Sequence, residues 1–203
     1  MPEAPAGVAY VFGYGSLVAI KDALTLEGRA WAPVPGRLRG YRRYWGAAAN
    51  NWEATPPQKH FLDPDSGEQL RIRVAYLDIE EEPGRTVNGL AVPVDRRRLA
   101  EIDAREKNYL RIDVSEAFEP ALPQPVFAYR ATEEARERCR RHQPDAEVFV
   151  SSDYVAAVRR AFAELGEGAL EEFERTTDPL DFPPRHLRLV YPPPVGPGGE
   201  LPY

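Results

Sequence analysis

Apolar positions along this chain recur with the strand period in some stretches and the helix period in others, and the switches between them mark out its elements. Residues 8–12, VAYVF, are apolar without interruption, the pattern of an interior strand covered on both faces. Leu70, Ile72, Val74 and Tyr76 alternate with Arg71, Arg73 and Ala75, and Leu110, Ile112 and Val114 alternate with Arg111, Asp113 and Ser115. Both runs read as strands with one face in solvent. Residues 38–46, 87–93 and 126–130 complete an expected sheet or partly closed barrel of five to six strands. Asp95 is placed to cap a helix reaching about Arg105. Ser151 or Ser152 is placed to cap another, whose apolar stripe is Tyr154, Ala157, Val158, Ala161, Phe162 and Leu165 and whose stop is Gly166. Residues 132–142 predict a charged helix with little apolar face and 168–175 a shorter one, so the class is α+β.

Residues 46–69 are rich in Asn, Pro and Asp and longer than an ordinary connection, which predicts a lid or a plain insertion. The proline-rich residues 191–203 read as a mobile tail, leaving 1–190 as a single domain. With 43% apolar and 29% charged residues, and no apolar run near the length of about 18 that spans a bilayer, no membrane association is expected. The opening MPEAPAG has neither a basic nor an apolar region of a secretion signal. A single cysteine, Cys139, rules out an internal disulfide and suits a reducing cytoplasm. The 26 Lys and Arg against 32 Asp and Glu give a net charge of −6, which opposes general nucleic-acid binding and favours a small-molecule ligand.

Candidate chemistry gathers at Val11-Phe12-Gly13-Tyr14-Gly15-Ser16-Leu17, where the first strand breaks into a glycine-flanked turn. Gly13 and Gly15 allow positive φ and close approach of a ligand to backbone N–H groups. The turn lacks the third glycine of a dinucleotide fingerprint, the Gly-Lys-Ser/Thr of a phosphate loop and the Gly-x-Ser-x-Gly elbow. Ser16 as a nucleophile would need one of His60, His142 and His186, none of which the sequence places beside it. Cys139 with His142 offers a two-ligand metal pair at best, so neither metal nor cofactor is expected. Glu106 falls in helical register with Leu99 and Ile102, on the apolar side. Either Arg105 or Arg111 satisfies it, or the helix frays before it, or it is a desolvated carboxyl with a raised pKa and acts as a proton acceptor. Arg37 to Trp45 mixes arginines with aromatics and reads as a strand with a charged outer face or as a surface for stacked bases.

Three landmarks in order resemble the gamma-glutamylcyclotransferase-like family: Phe12-Gly13-Tyr14-Gly15-Ser16-Leu17, Ile102-Asp103-Ala104-Arg105-Glu106 with Tyr109, and Val150-Ser151-Ser152-Asp153-Tyr154. The resemblance spans roughly residues 8–175, with Val150 where the family has proline. It implies a compact mixed barrel with flanking helices and a cofactor-free reaction that converts a gamma-glutamyl compound to 5-oxoproline and a free amine. It further implies Glu106 as general acid/base, with Tyr14, Gly15, Ser16, Leu17, Tyr109, Ser151 and Tyr154 as substrate-binding residues. A catalytically silent metabolite-binding or interaction module of the same fold is the alternative. The leaving amine and the oligomeric state are left open.

Overall fold

The computed structural model describes residues 7–19, 32–53, 59–140 and 147–190. Strand β1 (Ala9–Gly13) is buried along its whole length because it lies between two others, β4 (Arg73–Val94, antiparallel) and β7 (Val126–Ala131, parallel). That position accounts for its unbroken apolar run. β2 (Val34–Asn50) pairs with β4 along nearly its full length, from Val34↔Ala91 to Asn50↔Arg73. β5 (Tyr109–Asp113) and β6 (Phe118–Glu119) complete a path ordered β5-β7-β1-β4-β2-β6, and β8 (Val148–Ser151) and β9 (Pro184–Arg185) join off β4 to give eight strands. The sheet curls into a half-barrel with helices on its flanks.

The curl has local causes. Between Arg39↔Thr86 and Tyr41↔Glu81 residues 82–85 swing out opposite Gly40, and Gly40 and Gly84 take the positive φ values of 76° and 86°. Between Tyr44↔Asp78 and Ala47↔Tyr76, Trp45 and Gly46 oppose Leu77 alone. Such bulges bend a strand and increase its twist. The runs predicted as separate strands at 70–76 and 87–93 are therefore the two ends of one bent strand, β4. Leu70 and Ile72 precede it and join Phe61, Val74 and Leu187 in a small second core.

Helix α1 (Ser16–Ala19) follows the glycine turn. α2 (Arg96–Arg105) is capped by Asp95, whose carboxylate accepts from the Arg98 N–H at 2.7 Å. α3 (Glu133–Arg140) starts where Thr132 Oγ1 accepts from the Ala135 N–H at 3.1 Å, with acids first and bases last as its dipole favours. α4 (Ser152–Ala163) buries Val158, Ala161 and Phe162 of the predicted stripe, and α5 (Ala169–Thr176) packs Phe173 against Phe162.

The 46–69 segment is built into the fold at both ends. Residues 46–50 finish β2, and β3 (His60–Leu62) pairs with β10 (Arg188–Val190). Asn51 ties them together: its Nδ2 donates to the carbonyls of Phe61 and Leu70 at 2.7 Å each, and its Oδ1 accepts from Phe61 N–H at 2.7 Å. Residues 54–58 and the predicted tail at 191–203 lie outside the described residues.

The arginine-rich segment is β2. Arg37, Arg39 and Arg42 point outward into ion pairs with Glu172, Glu119 and Glu80. Arg43 turns inward and is fully buried. No helix among the described residues is long and apolar enough to cross a membrane.

Candidate functional site

β1 ends at Gly13, and the chain turns through Tyr14 and Gly15 into α1. The Val18 N–H makes the first bond of that turn, to Gly15 O at 3.0 Å, so the N–H groups of Ser16 and Leu17 precede it. Contrary to the expectation from sequence, neither glycine has positive φ. What Gly15 supplies is space: a Cβ there would sit 3.3 Å from both the Tyr154 hydroxyl and Leu77 Cδ1. The turn is braced from within by Tyr14, whose buried hydroxyl donates to Tyr129 O at 2.5 Å.

Opposite the turn, α2 ends at its C-cap residue, Glu106, whose N–H reaches back to Ile102 O at 2.9 Å. A tight turn follows, closed by the Tyr109 N–H donating to Glu106 O at 2.9 Å, so Glu106 and Tyr109 enter the site as neighbours from one piece of backbone. Tyr109 then anchors its hydroxyl on Leu77 O at 2.9 Å. The Tyr14–Leu17 turn, Glu106, Tyr109 and Tyr154 enclose a cavity of about 30 Å³, completed by Leu77 and Tyr129. It continues into a wider cleft of about 90 Å³, which shares Ser16, Glu106, Tyr109 and Tyr154 with it.

Seven of the eight residues singled out in the sequence thus meet around one cavity. The eighth, Ser151, does not line it. Its buried Oγ caps α4 by accepting from the Tyr154 N–H at 3.3 Å, so it acts on the cavity through the tyrosine it positions, and it borders a neighbouring groove. Tyr129, Leu77 and Lys59 were not legible as site residues. Tyr129 and Leu77 reach the cavity through strand pairings distant in sequence, and Lys59 borders the wider cleft from the segment before β3.

Burial sets the electrostatics. It raises the Glu106 pKa above the ordinary carboxylate range, with Arg105 and Lys59 pulling the other way. Of the partners weighed from sequence, Arg105 is the one in place, its Nε 3.4 Å from Glu106 Oε1, whereas Arg111 pairs with Asp103. Burial likewise raises Tyr14, Tyr109 and Tyr154, so the cavity presents protonated hydroxyls beside a carboxyl whose own pKa burial has raised. Such a set can bind an anionic or carbonyl oxygen and relay a proton.

Two alternatives find no support in the geometry. His60 lies against Gln69 and His186 pairs with Asp153 at 3.2 Å, so neither activates Ser16, and His142 lies outside the described residues. Burial pushes the Cys139 thiol up to about 12, and no group of three or more His, Cys, Asp or Glu among the described residues is arranged to hold a metal.

Beneath the turn, the buried Arg43 guanidinium donates to the carbonyls of Tyr14 at 3.2 Å, Asn88 at 2.8 Å and Phe173 at 3.1 Å, and packs 4.1 Å from the Phe173 ring centroid. It thereby joins the candidate loop to β4 and α5. Asp78, also buried, accepts from the Ala131 N–H at 2.7 Å, Arg136 Nε at 2.8 Å and the Tyr44 hydroxyl at 3.0 Å.

No family model matches this chain, and no curated protein matches it in sequence. Solved structures do match. A gamma-glutamyl cyclotransferase shares 17% identity at a TM-score of 0.53, over 88% of this chain and 93% of that one. A glutathione-specific gamma-glutamyl cyclotransferase from yeast shares 12% at a TM-score of 0.50, over 85% and 98%. YkqA from Bacillus subtilis shares 18% at a TM-score of 0.51, over 88% of this chain but 56% of its own length. The chain has the gamma-glutamyl cyclotransferase fold.

Proposed function

We propose that this chain is a cyclotransferase acting on a gamma-glutamyl compound and releasing 5-oxoproline, with Glu106 as general acid/base. The observation that carries the reading is the desolvated Glu106 carboxyl facing the Tyr14–Leu17 turn across one small cavity. In a gamma-glutamyl substrate the α-amine reaches the side-chain carbonyl carbon and closes a five-membered ring. A C–N bond forms there, and the C–N bond to the departing amine breaks. Glu106 takes the proton lost by the attacking nitrogen and returns it to the departing one, so the carboxylate is regenerated and no net proton is consumed.

Holding amine and carbonyl in near-attack geometry supplies several kcal/mol, on the order of the 7–11 kcal/mol of well-oriented intramolecular reactions. Proton relay by a positioned carboxyl adds roughly 10²- to 10⁴-fold. N–H groups of the turn and the hydroxyl of Tyr154 are the donors at hand for the substrate carboxylate or the developing oxyanion, the Tyr109 hydroxyl being committed to Leu77 O.

The test is the identity of the product. Incubation with gamma-glutamyl amino acids, followed by mass spectrometry, is expected to give 5-oxoproline and free amine in equal amounts. Free glutamate instead would mean that water, not the α-amine, attacks, and no product with folded protein would favour the silent binding module.

A further inference from the structure

The reaction as written leaves unused the charge beneath the turn, that of the fully buried Arg43. All five guanidinium N–H groups are committed to neutral oxygens: Nε to Thr177 Oγ1 at 2.7 Å, Nη1 to Tyr14 O and Asn88 O, and Nη2 to Asn88 Oδ1, Phe173 O and Thr176 Oγ1. Glu172, the carboxylate that acts on it, is itself forked onto Arg37. The guanidinium is thus fixed in place, and among the described residues no ion pair cancels its charge.

The turn offers it the Tyr14 carbonyl, which accepts from Nη1 at 3.2 Å. The Tyr14–Gly15 peptide is trans, so its C=O and its N–H point in opposite directions. With the carbonyl drawn onto Arg43, the Gly15 N–H points away from it, from a residue that lines the cavity. Among the described residues no acceptor takes that N–H. A hydrogen bond accepted by a carbonyl polarises the whole peptide, and a charged donor does so most strongly, which makes the Gly15 N–H a better donor. The same charge acts electrostatically on Tyr14 and Tyr154, two further residues of the cavity wall.

We propose that Arg43 is a positioning residue for the reaction: it aims the Gly15 N–H into the cavity and polarises it, so that the turn stabilises the negative charge developing on the substrate's side-chain carbonyl oxygen. The inference rests on the cyclotransferase reading for the identity of that oxygen. Glu106 serves the two nitrogens on the attacked carbon, so the oxygen on that carbon faces the opposite wall, which is the turn.

The experiment separates this role from plain stability. Using the faster of gamma-glutamylglycine and glutathione, kcat and KM for 5-oxoproline release are measured on wild type, Arg43→Gln and Leu38→Ala, each shown by circular dichroism to be folded at the assay temperature. Leu38 is fully buried and outside the cavity, so Leu38→Ala reports the effect of a weakened core alone. Arg43→Gln is expected to lose about tenfold to 10²-fold in kcat at nearly unchanged KM, approaching the loss of an oxyanion-hole donor, while Leu38→Ala keeps its kcat. Full kcat in folded Arg43→Gln, or equal losses in the two variants, overturns the role of Arg43 and leaves the cyclotransferase reading standing. A wild type that releases no 5-oxoproline overturns that reading and the inference with it. Should Arg43→Gln not fold, amide NMR of the wild type decides: as 5-oxoproline is added the Gly15 amide proton is expected to move downfield, and one that stays in place overturns the proposal.

Discussion

Arg43 holds the carbonyl of Tyr14 from a site that solvent does not reach, with hydrogen bonds to neutral groups: Asn88, Phe173, Thr176 and Thr177 besides Tyr14 itself. Burial draws its pKa down to about 9, so it remains charged at neutral pH, held by oriented dipoles and by the faces of Phe162 and Phe173. Replacing it by methionine leaves several buried carbonyls unpaired at once. Arg43→Met is expected to destabilise the protein by about 3 kcal/mol or more, read by urea unfolding. A change under about 0.5 kcal/mol, the range of a surface substitution, would refute this role.

Asp78 is the complementary case, a fully buried carboxylate beside the Arg136 guanidinium and several neutral donors. Removing Asp78 leaves Arg136 with Glu80 at 3.2 Å and takes the acceptor from the Ala131 N–H and the Tyr44 hydroxyl as well. Asp78→Ala is expected to cost about 3–5 kcal/mol. Asp78→Asn keeps the shape and an acceptor and should cost less; equal losses in the two variants would mean that the charge, which both remove, is all that matters there.

Glu106 links stability to pH in the direction opposite to a salt-bridged carboxylate. Its folded pKa lies above its unfolded value because burial disfavours the charge. Below the unfolded pKa both states are protonated and nothing is lost; as pH rises through the folded pKa, the folded state bears a desolvated charge that the unfolded state carries in water. Glu106→Gln should therefore raise Tm at neutral pH, with the gain fading as pH drops below the ordinary carboxylate range of about 4. A gain that grows toward acid would show the opposite shift. In the same way, the acid limb of the kcat/KM profile should lie above that range.

Gly15 sets how near the turn lies to Tyr154. Its backbone φ suits any residue, so Gly15→Ala costs little strain, but the added methyl meets the Tyr154 hydroxyl and Leu77 at 3.3 Å. The variant is expected to fold with nearly unchanged Tm and to lose about tenfold or more in kcat/KM, since misplacement of about 1 Å costs up to 10²-fold. Full activity would place the substrate elsewhere.

Much of this site was legible before the fold because its signals are local. β1 shows as an unbroken apolar run, Asp95 and Ser151 as caps, and Glu106 by its register with Ile102 at the end of α2. What escaped depends on distant pairing. The bulges opposite Gly40 and Leu77 break the alternation along β2 and β4, so nothing in the sequence marks which of the adjacent arginines Arg42 and Arg43, on opposite faces of the regular stretch between the bulges, is the buried one. Short strands such as β3 and β8 owe their existence to β10 and β4. Leu110, expected to face inward with Ile112 and Val114, is 54% exposed, because β5 ends the sheet path and no strand among the described residues lies beyond it.

The most direct test of the account is 5-oxoproline release from gamma-glutamyl amino acids by wild type and Glu106→Gln side by side, with circular dichroism establishing that both are folded. The account predicts steady release by the wild type and a loss of at least about 10²-fold in the variant, the contribution of a positioned acid/base. A folded Glu106→Gln that turns over as fast as the wild type would contradict it.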